Sequence, residues 1–246
     1  YLYLDLYLED ESNVKKAIDE AKYLNQKLKN SSMIVRITRP TNVQIMEFIK
    51  NELKHFSTIY LQIDYANKGF SKIIREDYRK YNIGMIMLTQ DMFKNKNEIK
   101  TVLELKIPIF KFGKEKLKSV KRTVIVLNDT NSYEQISPIV FDVSSQLKLK
   151  TKVFDLDPIG EKDGKSDLLS HFESLAKIFN EKLEIVSNGE NPIRELKKQR
   201  NMLQILPLKE DMFKKRFLFK YFYTNSDFIA FDMNKFNQLL IPISEE

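Results

Sequence analysis

The sequence contains no cysteine and no tryptophan, and only six of its 246 residues are glycine. The absence of cysteine excludes disulfides, thiolate zinc sites and cysteine nucleophiles. A chain without disulfides or zinc sites has to be stabilised by its hydrophobic core. Two cores of roughly 120 residues each could bury enough surface for this. A lack of cysteine also suits a reducing compartment, so we expect the protein to be cytoplasmic.

Long apolar stretches are missing as well. No run of 18 or more apolar residues occurs, so the sequence predicts no membrane-spanning helix. The opening YLYLDLYLED alternates and then becomes acidic, which is typical of a strand and not of a signal peptide. Because the sequence starts with Tyr1, already in a strand-like pattern, we expect it to be a piece of a longer protein.

What the chain has in excess is positive charge, with a net charge of +7 and a pI of about 9.2. The charge is most uneven in residues 111–122, where five lysines and one arginine accompany a single glutamate. We interpret 114–121 as a basic linker that is simply solvated, and contact with an anionic membrane surface is the alternative. Nucleic acid is not favoured as a partner, because the aromatic residues of the run Phe217–Phe231 are not interleaved with arginines.

The hydrophobic pattern alternates between strand and helix along the whole chain. In the first half, helices are predicted at 12–29, after Asn42, 69–81 and 91–103, between strands at 1–8, 33–38, 58–63, 83–88 and 107–112. In the second half, helices are predicted at 132–149, 167–180, 192–200 and 211–221, between strands at 122–127, 151–155, 182–186, 202–206 and 239–243. Strands apolar on both sides that alternate with amphipathic helices predict parallel sheets covered on both faces.

The two halves also repeat short sequences at corresponding places. Asp-Met-Phe-Lys occurs at 91–94 and again at 211–214, each time after the fourth strand of its half. Ile-Pro-Ile occurs at 107–109 and at 241–243, each time in the fifth strand. Two matches in the same order predict a tandem duplication, with one α/β domain over 1–113 and another over 122–246.

This pattern resembles the universal stress protein domain, here present twice. The best local match is VIVLNDTNSYEQISPIVFDVSSQLKLKTKVFDL, in which an apolar strand ends in an acidic residue and a Ser/Thr-bearing turn leads into a helix. The resemblance implies two Rossmann-like domains, each with a five-stranded, mainly parallel sheet and helices on both faces. It also implies a nucleotide-facing turn at Asn128, Asp129 and Thr130, and at Glu9 or Asp10 in the first half.

One departure from the family pattern bears on its ligand. Members that bind nucleotides carry a Gly-x-x-Gly element and then Gly-Ser or Gly-Thr after the fourth strand, and glycine lets the backbone approach the phosphates closely. The corresponding stretches, 88–105 and 206–231, contain no glycine. We therefore expect no cofactor, and ATP or AMP is allowed but not favoured.

A second phosphate-binding pattern lies at GEKDGKS, residues 160–166, between a strand and a helix. A phosphate-binding loop has four residues between its glycines, whereas Gly160 and Gly164 have three between them. The acidic residues of this segment would also repel a polyphosphate. We interpret Gly160, Gly164, Lys165 and Ser166 as a variable loop and not as a functional site.

No catalytic residue or metal site is predicted, so the sequence favours a non-catalytic regulatory or interaction module. Relatives of this kind occur alone or as the cytoplasmic part of cation/proton antiporters, which makes a protein partner or the chain's own transmembrane domain the expected contact. A homodimer is left open, and membrane contact is expected only indirectly, through the basic linker. Two alternatives remain: a nucleotide-binding stress protein with an altered pocket, and a small α/β transferase.

Overall fold

The structure of the protein is a computed structural model, in which strands and helices alternate along the chain. It describes residues 1–6, 11–29, 31–38, 41–63, 69–88, 96–127, 137–155, 165–180, 183–186, 192–208 and 235–243. The chain divides into two units, Tyr1–Phe112 and Gly113–Glu246, which we call the first and the second unit.

The first unit has a parallel sheet in the order β3-β2-β1-β4-β5. Its strands are β1 (Leu2–Asp5), β2 (Met33–Ile37), β3 (Ile59–Ile63), β4 (Met85–Leu88) and β5 (Ile109–Lys111). Its helices are α1 (Glu11–Lys27), α2 (Val43–Leu53), α3 (Phe70–Lys80) and α4 (Lys96–Leu105). Helix α1 packs on α2, and α3 packs on α4. Right-handed crossovers place these two pairs on opposite faces of the sheet.

The second unit repeats this order as β8-β7-β6-β9-β10, again with every pair of strands parallel. Its strands are β6 (Arg122–Leu127), β7 (Lys150–Asp155), β8 (Glu184–Val186), β9 (Met202–Leu208) and β10 (Asn237–Pro242). Its described helices are α5 (Ser137–Leu147), α6 (Lys165–Ile178) and α7 (Pro192–Lys198), with a short 3₁₀ helix at Leu117–Ser119. The α/β class and the parallel sheets predicted from the sequence are confirmed.

Burial follows the hydrophobic pattern that predicts these elements. Every residue of β1, β2 and β4 is buried, as expected for strands with neighbours on both sides and helices on both faces. In β3, which pairs only with β2 among the described strands, Tyr60 and Ile63 are exposed. Helix α2 begins as predicted, because the side chain of Asn42 accepts a hydrogen bond from the backbone N–H of Gln44 at 2.8 Å.

Three helices are followed by a residue other than glycine in the left-handed conformation. The residues after α4 and α5, Lys106 and Lys148, have φ angles of 54° and 55°, and Asn180 after α6 has 54°. A residue in this left-handed conformation ends a helix by turning its N–H back toward a carbonyl of the last turn. Lys106 donates to Leu103 in this way. Asparagine tolerates the conformation, whereas lysine adopts it at a cost in stability.

Some sequence predictions differ from the structure or lie outside the described residues. Strand β1 ends at Asp5 and not at Leu8, so the acidic residue at the end of this strand is Asp5. The predicted helix at 211–221 and both Asp-Met-Phe-Lys stretches lie outside the described residues.

The segment 114–121, interpreted from the sequence as a linker, packs against the second unit. Leu117 is buried, and Asn237 of β10 holds the start of the segment with two hydrogen bonds. Its Oδ1 accepts from the N–H of Gly113 at 3.0 Å, and its Nδ2 donates to the carbonyl of Glu115 at 2.9 Å. A Cβ atom on Gly113 would lie 2.1 Å from the carbonyl carbon of Phe236, so glycine is required at this close approach.

Candidate functional site

Polar side chains form a row across the first unit's sheet near the carboxyl ends of its strands. Asp5 of β1 is in register with Arg36 of β2, which is in register with Gln62 of β3. On the other side of β1, Lys111 of β5 is in register with Leu88, the last residue of β4. Neighbouring residues in register point to the same face of a sheet, so one face of a mainly apolar core carries Asp5, Arg36 and Lys111, all of them buried.

The strongest interaction of this row joins the sheet to α3. Arg36 donates from Nη2 to Oδ1 of Asp77 at 2.6 Å and from Nε to Oδ2 at 2.9 Å. Such paired hydrogen bonds are the strongest that an ion pair makes, and both partners are buried. Burial alone would lower the pKa of Arg36, but the hydrogen bonds and the charge of Asp77 raise it above its ordinary value. Arg36 therefore stays charged, and its two hydrogen bonds to Asp77 fix α3 against β2.

Tyr3 completes this pair from the neighbouring strand. Its hydroxyl donates to Oδ2 of Asp77 at 3.1 Å, and its side chain has no exposed surface. Burial raises the pKa of Tyr3 far above its ordinary value, and the charges of Asp5 and Asp77 add to the rise. The phenol is therefore protonated at any physiological pH and acts only as a donor to Asp77.

Asp5 differs from Asp77 because no cation is hydrogen-bonded to it among the described residues. Its side chain is completely buried, and Oδ1 accepts a hydrogen bond from the hydroxyl of Thr38 at 3.3 Å. No described residue donates a hydrogen bond to Oδ2. Burial raises the pKa of Asp5 to about 7, the hydrogen bond from Thr38 acts against the rise, and the charge of Glu98 on α4 adds to it. Asp5 is thus a buried acid that changes protonation near neutral pH.

The place of Asp5 in the sheet is where this topology puts ligand sites. Chain connections run outward from β1 through β2 to β3 and then cross back to β4, so the topological switch point lies between β1 and β4. Ligands of open α/β sheets bind outside the carboxyl ends of the strands at such a point. Asp5 is the last residue of β1 at this point, but its complete burial keeps it from touching a ligand in the described conformation.

The second unit has neutral polar contacts in its core. The hydroxyl of Ser144 on α5 donates to Oγ1 of Thr123 on β6 at 2.9 Å. Gln238 of β10 donates to the side-chain oxygen of Gln204 on β9 at 2.7 Å. All four side chains are buried. These contacts join neighbouring elements within the unit and involve no charged group.

Most of the predicted site residues lie outside the described part of the chain. Glu9 and Asp10 are among them, as are Asn128, Asp129 and Thr130 of the second half. Of the phosphate-loop-like residues, Gly160 and Gly164 are outside, while Lys165 and Ser166 begin α6. Their roles remain predictions.

Sequence reasoning missed Asp5 because it extended β1 to Leu8 and looked for an acidic residue after that point. The signal that could have found it lies in the strand itself, since Asp5 is the one charged residue within an otherwise apolar Tyr/Leu stretch. A charge at a position where neighbouring residues are buried on both sides indicates a partner or a function.

The described residues offer neither a metal site nor a membrane-spanning helix. Among the described residues, no three His, Cys, Asp or Glu side chains are grouped so that they could hold a metal ion. None of the described helices combines the length and apolar character needed to cross a bilayer.

The order 3-2-1-4-5 of parallel strands, present in each unit, defines a Rossmann-like α/β fold. Solved structures of universal stress proteins have a similar fold. A universal stress protein from Pseudomonas aeruginosa UCBPP-PA14 matches 98% of this chain and 93% of its own, with a TM-score of 0.61 and 12% identity. One from Archaeoglobus fulgidus DSM 4304 matches 99% of this chain and 97% of its own, with a TM-score of 0.60 and 11% identity.

A third similar structure is a protein of unknown function from Pseudomonas aeruginosa PAO1, which matches 98% of this chain and 92% of its own. Its TM-score is 0.56 and its identity to this chain is 11%. No protein-family model and no curated protein sequence matches the chain. At such low identities the likeness establishes a universal stress protein-like fold.

Proposed function

We propose that this chain is a tandem universal stress protein-like module that regulates or binds a partner and catalyses no reaction of its own. The proposal rests on one observation about this fold. The segments that follow β4 and β9, residues 88–105 and 206–231, contain no glycine. In this fold those passages are where a phosphate cradle would lie, and a cradle needs backbone amides close to the ligand.

The tandem part of the proposal is supported from two sides. Each unit has the same strand order, and the Asp-Met-Phe-Lys and Ile-Pro-Ile repeats occur at corresponding places in the two halves. The universal stress protein structures match almost the full length of this chain and of their own. A duplicated single domain accounts for both facts.

Isothermal titration calorimetry of the full chain with ATP and with AMP tests the lack of a nucleotide site. We expect no heat of binding, because each missing amide contact removes a charge-assisted hydrogen bond worth roughly 1.5–3 kcal/mol. A dissociation constant below about 100 μM, near −5.5 kcal/mol, would contradict the proposal.

The second candidate is a nucleotide-binding protein with an altered pocket. It is favoured by the acidic residue Asp5 at the end of β1 beside the topological switch point. If the calorimetry does detect ATP, repeating it with Asp5→Asn decides whether this carboxylate takes part. Loss of binding in that variant would support the alternative, and unchanged binding would place the site elsewhere.

We further propose that the module is the cytoplasmic regulatory part of a membrane transporter, as occurs among relatives of this fold. The proposal rests on the resemblance. The nucleotide sequence of the gene tests it, because that sequence shows what else the same reading frame encodes. A series of roughly 20-residue apolar spans in the same reading frame would support it. An encoded protein without such spans would leave a freely diffusing regulator.

A further inference from the structure

The amino-terminal edge of the second unit's sheet gathers positive charge from separate parts of the chain. Because the strands are parallel, their first residues lie at one edge, and Arg122 of β6 is in register with Lys150 of β7 and Met202 of β9. We define the basic edge as the side chains of Lys114, Lys116, Lys118, Lys121, Arg122, Lys148, Lys150, Lys197, Lys198 and Arg200.

Backbone contacts show that these segments meet. The N–H of Lys121 donates to the carbonyl of Asn201 at 2.8 Å, and the N–H of Glu115 donates to the carbonyl of Lys235 at 3.0 Å. Short connections bring in the rest, because two residues separate α5 from β7 and three separate α7 from β9. All members of the basic edge are exposed except Arg122, which is half-buried.

Two described carboxylates lie at this edge, against its ten basic side chains. The described carboxylates at the edge, Glu115 and Glu184, already have partners. Glu115 accepts from the N–H of Asn201 at 3.0 Å and lies 3.8 Å from Lys235, and Glu184 pairs with Lys152. Arg122 and Lys150 have each other as neighbours in register, and like charges on adjacent strands oppose each other.

Helix dipoles account for only part of this arrangement. Basic residues near helix carboxyl ends are stabilising, which explains Lys148 after α5 and Lys197 in the last turn of α7. Lys118 lies in the last turn of the 3₁₀ helix, whereas Lys114, Lys121 and the first residues of β6 and β7 do not belong to a helix end. Helix dipoles therefore do not account for these residues, whereas an anionic partner would.

We propose that the basic edge binds the surface of a membrane that contains anionic lipids. Eight of its ten side chains are lysines, which act as flexible point charges and suit a diffuse layer of lipid phosphates. Recognition of nucleic acid would favour forked arginine contacts and exposed aromatic rings for stacking. Phe236, the aromatic residue just before β10 at this edge, is buried.

This inference deepens the proposed function and rests on it for the choice of a membrane as the source of phosphate. It names the surface by which a transporter's regulatory part would face the lipid. Its test is independent of the calorimetry with nucleotides, so either proposal can fail while the other stands.

The test is co-sedimentation with vesicles of phosphatidylcholine that contain roughly one-third phosphatidylserine, at physiological ionic strength. The full chain is compared with the triple variant Lys116→Glu, Lys118→Glu, Lys121→Glu. A second variant, Lys50→Glu, Lys72→Glu, Lys100→Glu, changes three exposed lysines on helices of the first unit and has the same net charge. Thermal unfolding confirms that both variants fold.

We expect the basic-edge variant to lose affinity by at least on the order of 100-fold, since each of the three lost lysines contributes about five-fold near an anionic surface and the new glutamates add repulsion. The matched variant should lose less than about three-fold, because its three lysines do not belong to the basic edge. If the basic-edge variant does not fold, Lys197→Gln with Arg200→Gln replaces it, with an expected loss of roughly 20-fold.

Three results would overturn the proposal. The parent chain could fail to bind anionic vesicles, or bind vesicles of pure phosphatidylcholine equally well. The two charge-matched variants could lose affinity equally, which would assign the effect to net charge. A fluorescent DNA duplex could bind more tightly than the vesicles at the same salt concentration, with the same loss in the basic-edge variant, which would assign the surface to nucleic acid.

Discussion

The two units have the same strand order but differ in the polar groups that they bury. Among the described residues, the buried charged side chains all belong to the first unit: Asp5, Glu20, Arg36, Asp77, Glu98 and Lys111. The buried polar side chains described in the second unit are neutral: Thr123, Ser144, Thr151, Gln204, Asn237 and Gln238. The described parts of the two units therefore have two kinds of polar interior, and the charged interior of the first unit can respond to pH.

The first unit shows that burial alone does not determine whether a carboxyl group is protonated. Asp77 receives two hydrogen bonds from Arg36 and one from Tyr3, whereas Asp5 receives one from Thr38. A buried carboxylate with a close cation remains ionised, and one without it keeps its proton to higher pH.

The largest effect is expected from Asp77→Asn. This change leaves the buried guanidinium of Arg36 without its carboxylate, and breaking a buried ion pair costs about 3–5 kcal/mol of unfolding free energy. Urea denaturation at pH 7 measures the loss. The double variant Asp77→Asn, Arg36→Met removes both charges and should recover much of the stability. A loss below about 1 kcal/mol would show that the pair contributes little.

The next effect concerns Asp5 and pH. Its pKa is raised from 3.8 to about 7, so between these values the folded state holds a proton that the unfolded state has lost, and stability falls as pH rises. Between pH 5 and pH 8 this contribution should fall by roughly 3 kcal/mol, at 1.36 kcal/mol per pKa unit.

Asp5→Asn removes the titration while keeping the shape of the side chain. The variant should gain roughly 3 kcal/mol relative to the parent between pH 5 and pH 8, as measured by urea denaturation at each pH. A constant difference between variant and parent across this range would mean that Asp5 does not titrate there.

In the second unit, the largest expected effect is steric. Gly113→Ala places a Cβ atom 2.1 Å from backbone atoms of Phe236, which cannot move as a flexible side chain could. We expect a loss of about 2 kcal/mol in thermal or chemical unfolding. Gly84→Ala is the matched control, because nothing lies within 4 Å of its Cβ position. Equal melting of the two variants would contradict the close approach at Gly113.

The neutral polar contact of the second unit should give a smaller effect without pH dependence. Ser144→Ala leaves the hydroxyl of Thr123 without this buried donor, and such a loss costs about 1–2 kcal/mol. The cost should be the same at pH 5 and pH 8, in contrast to Asp5→Asn. A cost that changes by more than about 1 kcal/mol with pH would indicate a titrating group near Ser144.

The smallest effect is expected to be alike in both units. Lys106→Gly and Lys148→Gly replace residues with φ near 55° by one that adopts this conformation freely. Each should raise the free energy of unfolding by about 0.5–1 kcal/mol, since relief of the strain exceeds the added flexibility of the unfolded chain. Lower thermal stability in either variant would show that the lysine side chain contributes contacts that outweigh the strain.

The elements that the sequence predicts well are those with a strong local pattern. Strand β6 has the predicted bounds, 122–127, because RTVIVL is a continuous apolar run. Helix α7 begins at Pro192 as predicted, since proline suits the first turn of a helix. The end of β1 was predicted three residues too late, because the Tyr/Leu alternation continues past the point where pairing with β2 and β4 stops.

The candidate site was predicted less well than the fold. Arg36 and Asp77 are 41 residues apart, and Tyr3 and Asp77 are 74 apart, so no local pattern connects them. The basic segment 114–121 was predicted from its composition. Its packing on the second unit through Leu117 and Asn237 was not predicted.

The sequence by itself determined the alternation of strands and helices, the lack of any cysteine chemistry and the absence of glycine where a phosphate cradle would need it. These properties depend on residue type and on spacing within a few residues. The tertiary structure decided the strand order, the pairing of Arg36 with Asp77, the raised pKa of Asp5 and the gathering of the basic edge. Each of these depends on desolvation or Coulomb interactions between groups that only packing brings together.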